Sequence, residues 1–240
     1  MTDTTSPKLA ASKPSLLYRI WDHELSYSFR NSPLTVAAAV ITLLLILSAV
    51  FAGVIAPHNP SDLASIDLMD SELPPAWTED GDARFLLGTD NLGRDIYSTI
   101  LYGMRISLLV GFASVVLSAV IGISAGLVAG YMGGKVDALI MRIADIQLSF
   151  PTILIALLID GIMRGILDRE QHDAMIIPVL VLSIGISNWV QYARTVRGST
   201  LVERNKEYVQ AARIIGLHPI LIMIKHVLPN VMGPVLVIAT

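Results

Sequence analysis

Residues 34–56 are 23 consecutive positions without a charged side chain, and no other feature constrains this chain more. A helix of that length crosses the hydrocarbon core of a bilayer. A segment in lipid must satisfy its own backbone hydrogen bonds, so a lone segment of this kind has to be a helix. The pattern recurs: residues 106–132 form a second uncharged run, 146–159 a shorter one and 174–193 a fourth. Residues 219–240 open a fifth run, inside which the chain stops. The expected fold class is therefore an all-α polytopic membrane protein with five visible spans. A composition of 53% hydrophobic and 15% charged residues is too apolar for an ordinary soluble domain. The chain has no cysteine, which excludes disulfides and thiol chemistry.

Charge distribution orients the spans. Lys8, Lys13, Arg19 and Arg30 precede the first run; that lead is too long for a signal peptide, so an uncleaved anchor is expected. Residues 57–102 hold nine acidic side chains against Arg84 and Arg94, whereas residues 194–213 hold five Lys or Arg. The bias of basic residues toward the cytoplasm then places the N-terminus and residues 194–218 inside and the acidic loop outside. Four spans separate the two cytoplasmic stretches, an even number, as this orientation requires. The organisation that follows is a cytoplasmic tail over 1–33, a first span over 34–56 and an external loop over 57–105. A membrane core over 106–240 carries the cytoplasmic loop 194–218. Apolar residues at near-helical spacing (Leu17, Ile20, Trp21, Leu25 and Phe29) suggest that residues 15–30 lie in the interface as an amphipathic helix; a disordered tail leading into an extension of the first span is the alternative.

Within the second run Ser114, Ser118, Gly122, Gly126 and Gly130 recur every four residues, a stripe of small side chains that lets another helix approach closely. Helix packing is the preferred reading over a solute-lining role. Arg142 and Asp145, three residues apart, can neutralise each other at the membrane edge. Pro151 can bend the third span. Lys225 and His226 fall early in the fifth, where a lysine can snorkel to the interface.

The loop 194–218 reads as a polar helix between two apolar ones. Thr200 and Glu203 have the spacing of a capping box that would start it. Gly216 can take the left-handed conformation that ends it, Leu217 supplies the accompanying apolar contact, and Pro219 suits the first turn of the next helix. In the acidic loop, Gly88 and Gly93 permit tight turns, and Asp90, Arg94 and Asp95 can pair to hold the segment in shape. A structural network is preferred here over solute contact.

Two of these segments carry a family resemblance. The Ala211-Ala212-x-x-x-Gly216 segment, followed after nine residues by Leu228-Pro229, resembles the E-A-A-x-x-x-G…I-x-L-P loop of bacterial ABC-importer permeases. Gln210 stands where that pattern has its first Glu, and His226 where it has Ile. The run Glu207-Tyr208-Val209-x-Ala211-Ala212-Arg213 is similar to the dipeptide/oligopeptide subgroup. The stretch Gly88-Thr89-Asp90-x-x-Gly93-Arg94-Asp95-x-x-Ser98 resembles the segment that opens the core of that subgroup's second, C-type permease. Ala56-Pro57-His58-Asn59-Pro60 and Asp145 to Pro151 fit the same type.

The resemblance implies the type I importer permease fold with six spans, of which five are visible here, the chain stopping within the fifth. It implies an ATPase-coupling role for Glu207, Tyr208, Ala211, Ala212, Arg213, Gly216 and Leu217. In that picture Glu207 makes charge-assisted contacts with an ATPase groove, and Ala211 and Ala212 let the helix seat in it. It also implies a homologous second permease as heterodimer partner, two ABC ATPase subunits and a periplasmic or lipoprotein solute-binding protein, in a bacterial inner membrane. ATP and Mg would be bound by the partners, and this chain would carry no cofactor, metal or catalytic residue of its own. Membrane lipid is expected as a partner and nucleic acid is not. Peptides are the leading solute, with nickel chelates or cationic antimicrobial peptides as alternatives.

Other classes find less support. A secondary transporter would need intramembrane ion sites or inverted repeats, and a membrane enzyme a nucleophile or metal cluster at span depth. Gly133-Gly134-Lys135 imitates the end of a phosphate-binding loop, but Val136 replaces the Ser/Thr that would hold Mg and Ala129 the first glycine.

Overall fold

In the computed structural model, which describes residues 29–60, 62 and 66–239, the chain divides into two compact units, 1–105 and 106–240. No strand element occurs among the described residues, and one isolated bridge joins Thr89 to Asp95. Among the described residues four helices are long and apolar enough to cross a membrane, or five if a sharply bent pair counts as one span. The interfacial segment expected over 15–30 lies almost wholly outside the described residues.

In the first unit, α1 (Pro33–Val50) opens on a proline in its first turn, where the missing N–H leaves nothing unpaired. A kink at Phe51 separates it from the short α2 (Ala52–Ile55). The loop that follows contains one 3₁₀ turn, Leu68–Asp70.

The next helix, α3 (Ile96–Met132), is 37 residues long. It starts ten residues before the apolar run at 106, so loop residues expected up to 105 belong to helix. The cause is local: Asp95 accepts from the backbone N–H groups of Tyr97 and Ser98, satisfying donors that a helix start otherwise leaves free.

In the second unit, α4 (Gly134–Leu148) and α5 (Thr152–Ile166) meet at 88° across Ser149 to Pro151, where proline forbids a continuous helix. The long α6 (Arg169–Glu203) tolerates Pro178 in its interior. It is followed by α7 (Glu207–Ile214), α8 (Pro219–Ile222), a π-helical turn Met223–Val227 and α9 (Leu228–Ala239).

Two expectations are corrected here. Thr200 and Glu203 do not cap the loop helix; they are the last turn of α6, and α7 begins at Glu207 after Lys206. Arg142 and Asp145 do not pair: Asp145 bonds Arg194 of α6 at 2.6 Å, because a guanidinium on a packed neighbour reaches the carboxylate better than one on its own helix. Asp137 likewise pairs with Arg197, and Trp189 Nε1 donates to Gln147 Oε1 at 2.6 Å, so polar bonds pin α4 to α6 at three points.

The core of this unit gathers Leu127, Tyr192, Val196, Val209, Ala212, Ile222, Val227, Val231 and Val235. It therefore draws on α3, α6, α7, α8, the π turn and α9.

Candidate functional site

The loop between α6 and α9 combines a short exposed helix with firm backing. α7 has eight residues, too few to hold itself in water, so tertiary contacts must stabilise it. Val209 and Ala212, three apart, supply the inner face and are buried in the core. Glu207 in the first turn and Arg213 in the last complement the helix dipole. Gly216 ends the segment at φ +82°, a conformation closed in practice to β-branched residues, and Leu217 N–H returns to Ala212 O at 3.1 Å. His218 then caps α8, its Nδ1 accepting from Ile220 N–H at 3.4 Å, ahead of Pro219.

The outward face of the loop is Glu207, Gln210, Ala211, Ile214 and Ile215, with Ile214 86% and Ile215 77% exposed. Ala212 is different. At 4% exposure it fills this chain's own core, so it is unavailable to a partner's groove, contrary to the expectation that both alanines seat there. Arg213 also turns inward: its guanidinium stacks on the Tyr131 ring at 4.7 Å and donates to the Tyr131 hydroxyl at 3.2 Å. Arg204 donates to Gly130 O at 2.8 Å, occupying a carbonyl that the end of α3 leaves without a helical partner. Tyr208 points its hydroxyl at the Glu203 carboxylate and receives Asn230 Nδ2 at 3.0 Å. Burial, and then the Glu203 hydrogen bond, push the Tyr208 phenol up to about 12, so it remains a donor at neutral pH.

Behind the loop, the small-residue stripe of α3 faces α6. A Cβ added at Gly126 would lie 2.5 Å from Ala193 O and 2.8 Å from Val196 Cβ; at Gly130 it would lie 2.7 Å from Thr200 Cβ. Gly122 meets the backbone at Trp189 and the Tyr192 side chain in the same way. Ser118 Oγ donates to Gly185 O at 3.0 Å, a bond between the two helices. Ser114 is buried at the head of the stripe.

A second cluster lies in the first unit. Asp90 holds Arg94 at 2.7 Å and also accepts from the N–H groups of Leu92 and Arg94, both at 2.9 Å. Partial burial works to raise the Asp90 pKa, but the bonds from Arg94 and Leu92 outweigh it and leave the carboxyl below its ordinary value. Asp95 does not join that pair. Buried to 3% exposure, it caps α3, accepts from Ser98 Oγ and lies 3.5 Å from His58 Nδ1. Thr89 Oγ1 accepts from Leu73 N–H at 2.9 Å and donates to Asp70 O, tying the motif to the 3₁₀ turn and the residues just after it. Gly88 and Gly93 sit where a Cβ would collide with the carbonyls of Leu73 and Asp67. His58 and Phe85, whose tilted rings lie 5.2 Å apart, and Arg84 over Phe85 belong to this cluster, although Phe85 and Arg84 fall outside the Gly88–Ser98 motif.

Comparison with known proteins places these features in context. Residues 122–240 match the family model for the binding-protein-dependent transport system inner membrane component. Residues 16–75 match the N-terminal TM domain of oligopeptide transport permease C. The di/tripeptide transport system permease protein of Pseudomonas aeruginosa is 38% identical over 231 residues, covering 96% of this chain and 72% of the relative. The dipeptide transport system permease protein of Haemophilus influenzae is 34% identical, covering 89% and 68%. The oligopeptide transport system permease protein of Bacillus subtilis is also 34% identical, covering 88% and 63%. The chain belongs to the family of binding-protein-dependent transport system inner membrane components, the membrane permeases of ABC importers.

Proposed function

We propose that this chain is one of two homologous permease subunits of an ATP-driven importer of short peptides, working by alternating access. The observation that carries the reading is the 207–215 segment: an exposed face ending in Ile214 and Ile215, mounted on a backing fixed to α3, α6 and α9. An exposed apolar pair on a rigid mount suits docking to another protein. Two ATPase subunits are its partners, and ATP and Mg are bound there. The N-terminus and the 207–215 loop face the cytoplasm, and the loop holding Asp90 and Asp95 faces outward, where a solute-binding protein delivers peptide. ATP-driven closure of the ATPases draws the two coupling loops together and rocks the spans outward-facing; hydrolysis returns them. The Asp90 and Asp95 cluster is a structural network that shapes the outer loop rather than a solute site.

The test is reconstitution of the chain with its partner permease, ATPases and binding protein in liposomes. Uptake of a labelled dipeptide should require both ATP and the binding protein. Uptake driven by an ion gradient without ATP would assign the chain to the secondary transporters instead.

A further inference from the structure

We infer that the Tyr208 hydroxyl is a positioning group that carries movement of α7 into the last apolar helix, through a joint formed with Glu203, Asn230 and the π-helical turn. The inference rests on the reading of α7 as a docking helix. It places Tyr208, 38% exposed, on the side of that helix that meets α6 and α9 rather than on the face offered to the ATPase.

Three elements meet at this one oxygen. The hydroxyl donates to Glu203 Oε1 at the end of α6 and accepts from Asn230 Nδ2 of α9 at 3.0 Å. Asn230 Nδ2 also donates to the His226 carbonyl at 2.8 Å, within the π turn, and that carbonyl lies 3.4 Å from the hydroxyl. Glu203 is itself buried and held from its other oxygen by Lys206 at 3.2 Å. The chain leaving α6 and the chain entering α9 are thus fastened to the same point on α7.

The apolar contacts of Val209 and Ala212 seat α7, but apolar packing is not directional. Hydrogen bonds weaken steeply with misalignment, so a hydroxyl at this point transmits direction. The π turn at Met223–Val227 supplies the place where motion is taken up: such turns are rare single-turn bulges that occur frequently at functional sites. Within it His226 Nδ1 is buried and has no hydrogen-bond partner, a polar group this arrangement leaves unsatisfied. An unsatisfied buried polar atom penalises this arrangement of the turn, which lowers the cost of leaving it for a second one.

Tyr208→Phe in the complete transporter keeps the ring and removes the joint. ATPase pull-down should stay at the wild-type level, while peptide moved per ATP hydrolysed falls about tenfold, the effect of losing one to two hydrogen bonds. Asn230→Leu, of similar volume but without donors, should reproduce the Tyr208→Phe defect and serves if the phenylalanine variant does not accumulate. A wild-type transport-to-hydrolysis ratio in Tyr208→Phe or Asn230→Leu overturns the inference. So does a fall that tracks loss of ATPase from the pull-down, because Tyr208 would then act in docking or folding. Failure of the docking reading itself is separate: there, Ile214→Asp retains full ATPase binding.

Discussion

Replacing Gly126 by alanine puts a methyl group where the backbone of α6 already lies. The added Cβ would be 2.5 Å from Ala193 O, 2.8 Å from Val196 Cβ and 3.1 Å from Arg197 N, and two of those three atoms are main chain. Neither can rotate away, so α3 and α6 must separate. Carbon contacts are optimal at about 3.5–4.0 Å, and a gap of about 0.5–1 Å along the rest of the seam forfeits a quarter to a half of its dispersion energy. Overpacking of this kind costs about 1–3 kcal/mol. The better helix propensity of alanine returns about 1 kcal/mol. Against the wild type the net destabilisation is therefore about 0–2 kcal/mol, and against an alanine on the same helix that meets no obstacle, where the propensity gain cancels, it is about 1–3 kcal/mol. Gly111→Ala on the same helix is the control, since nothing lies within 4 Å of a Cβ there. Thermal unfolding of the purified chain in lipid nanodiscs should show Gly126→Ala melting several degrees below Gly111→Ala. Equal melting temperatures would refute the close approach. Normal assembly of Gly126→Leu with an altered choice of solute would move the stripe from the packing seam to the solute pathway.

Other outcomes follow from single residues. Gly216→Val opposes a φ of +82° at a cost of about 1–2 kcal/mol, and should leave membrane insertion intact while reducing ATPase recovery in a pull-down. Asp90 has a folded pKa below its unfolded value, so its contribution to the 88–96 segment is complete above about pH 5 and is lost as the pH falls through 4 and below. Hydrogen exchange at 88–96 should accelerate over that acid range in the wild type and show no such step in Asp90→Asn. Because the chain has no cysteine, a single cysteine at Asp80 or Ile214 is the sole thiol. An impermeant reagent should label the first from outside intact cells and the second only in inverted vesicles; the reverse pattern overturns the orientation.

Hydrophobic runs were readable in the sequence because lipid leaves helices as the only solution, and the all-helical fold follows from them. Helix ends were less readable. Ile96 starts a 37-residue helix although charged residues surround it, and the usable signal was the Asp95-x-x-Ser98 cap just before it. The capping-box pattern at Thr200 and Glu203 misled because the same four residues serve equally well as the last turn of a long helix. Asp145 chose Arg194, 49 positions away, over Arg142 three positions away; spacing along one helix says nothing about a guanidinium on the next. In the loop, the polar residues and Gly216 marked a helix and its end, but not the face on which Val209 and Ala212 are buried. Which alanine faced inward depended on the position of α9, beyond the reach of local pattern. The inward turn of Tyr208 and Arg213 depended likewise on Asn230 and Tyr131.

The most direct test of the central claim is cysteine cross-linking of the 207–215 loop to the ATPases in the assembled complex. A cysteine at Ile214, on the exposed face, should cross-link efficiently to an ATPase subunit, and one at Val209, buried in the chain's own core, should not. Cross-linking at neither position, with transport intact, would contradict the account and leave α7 a solvated surface helix.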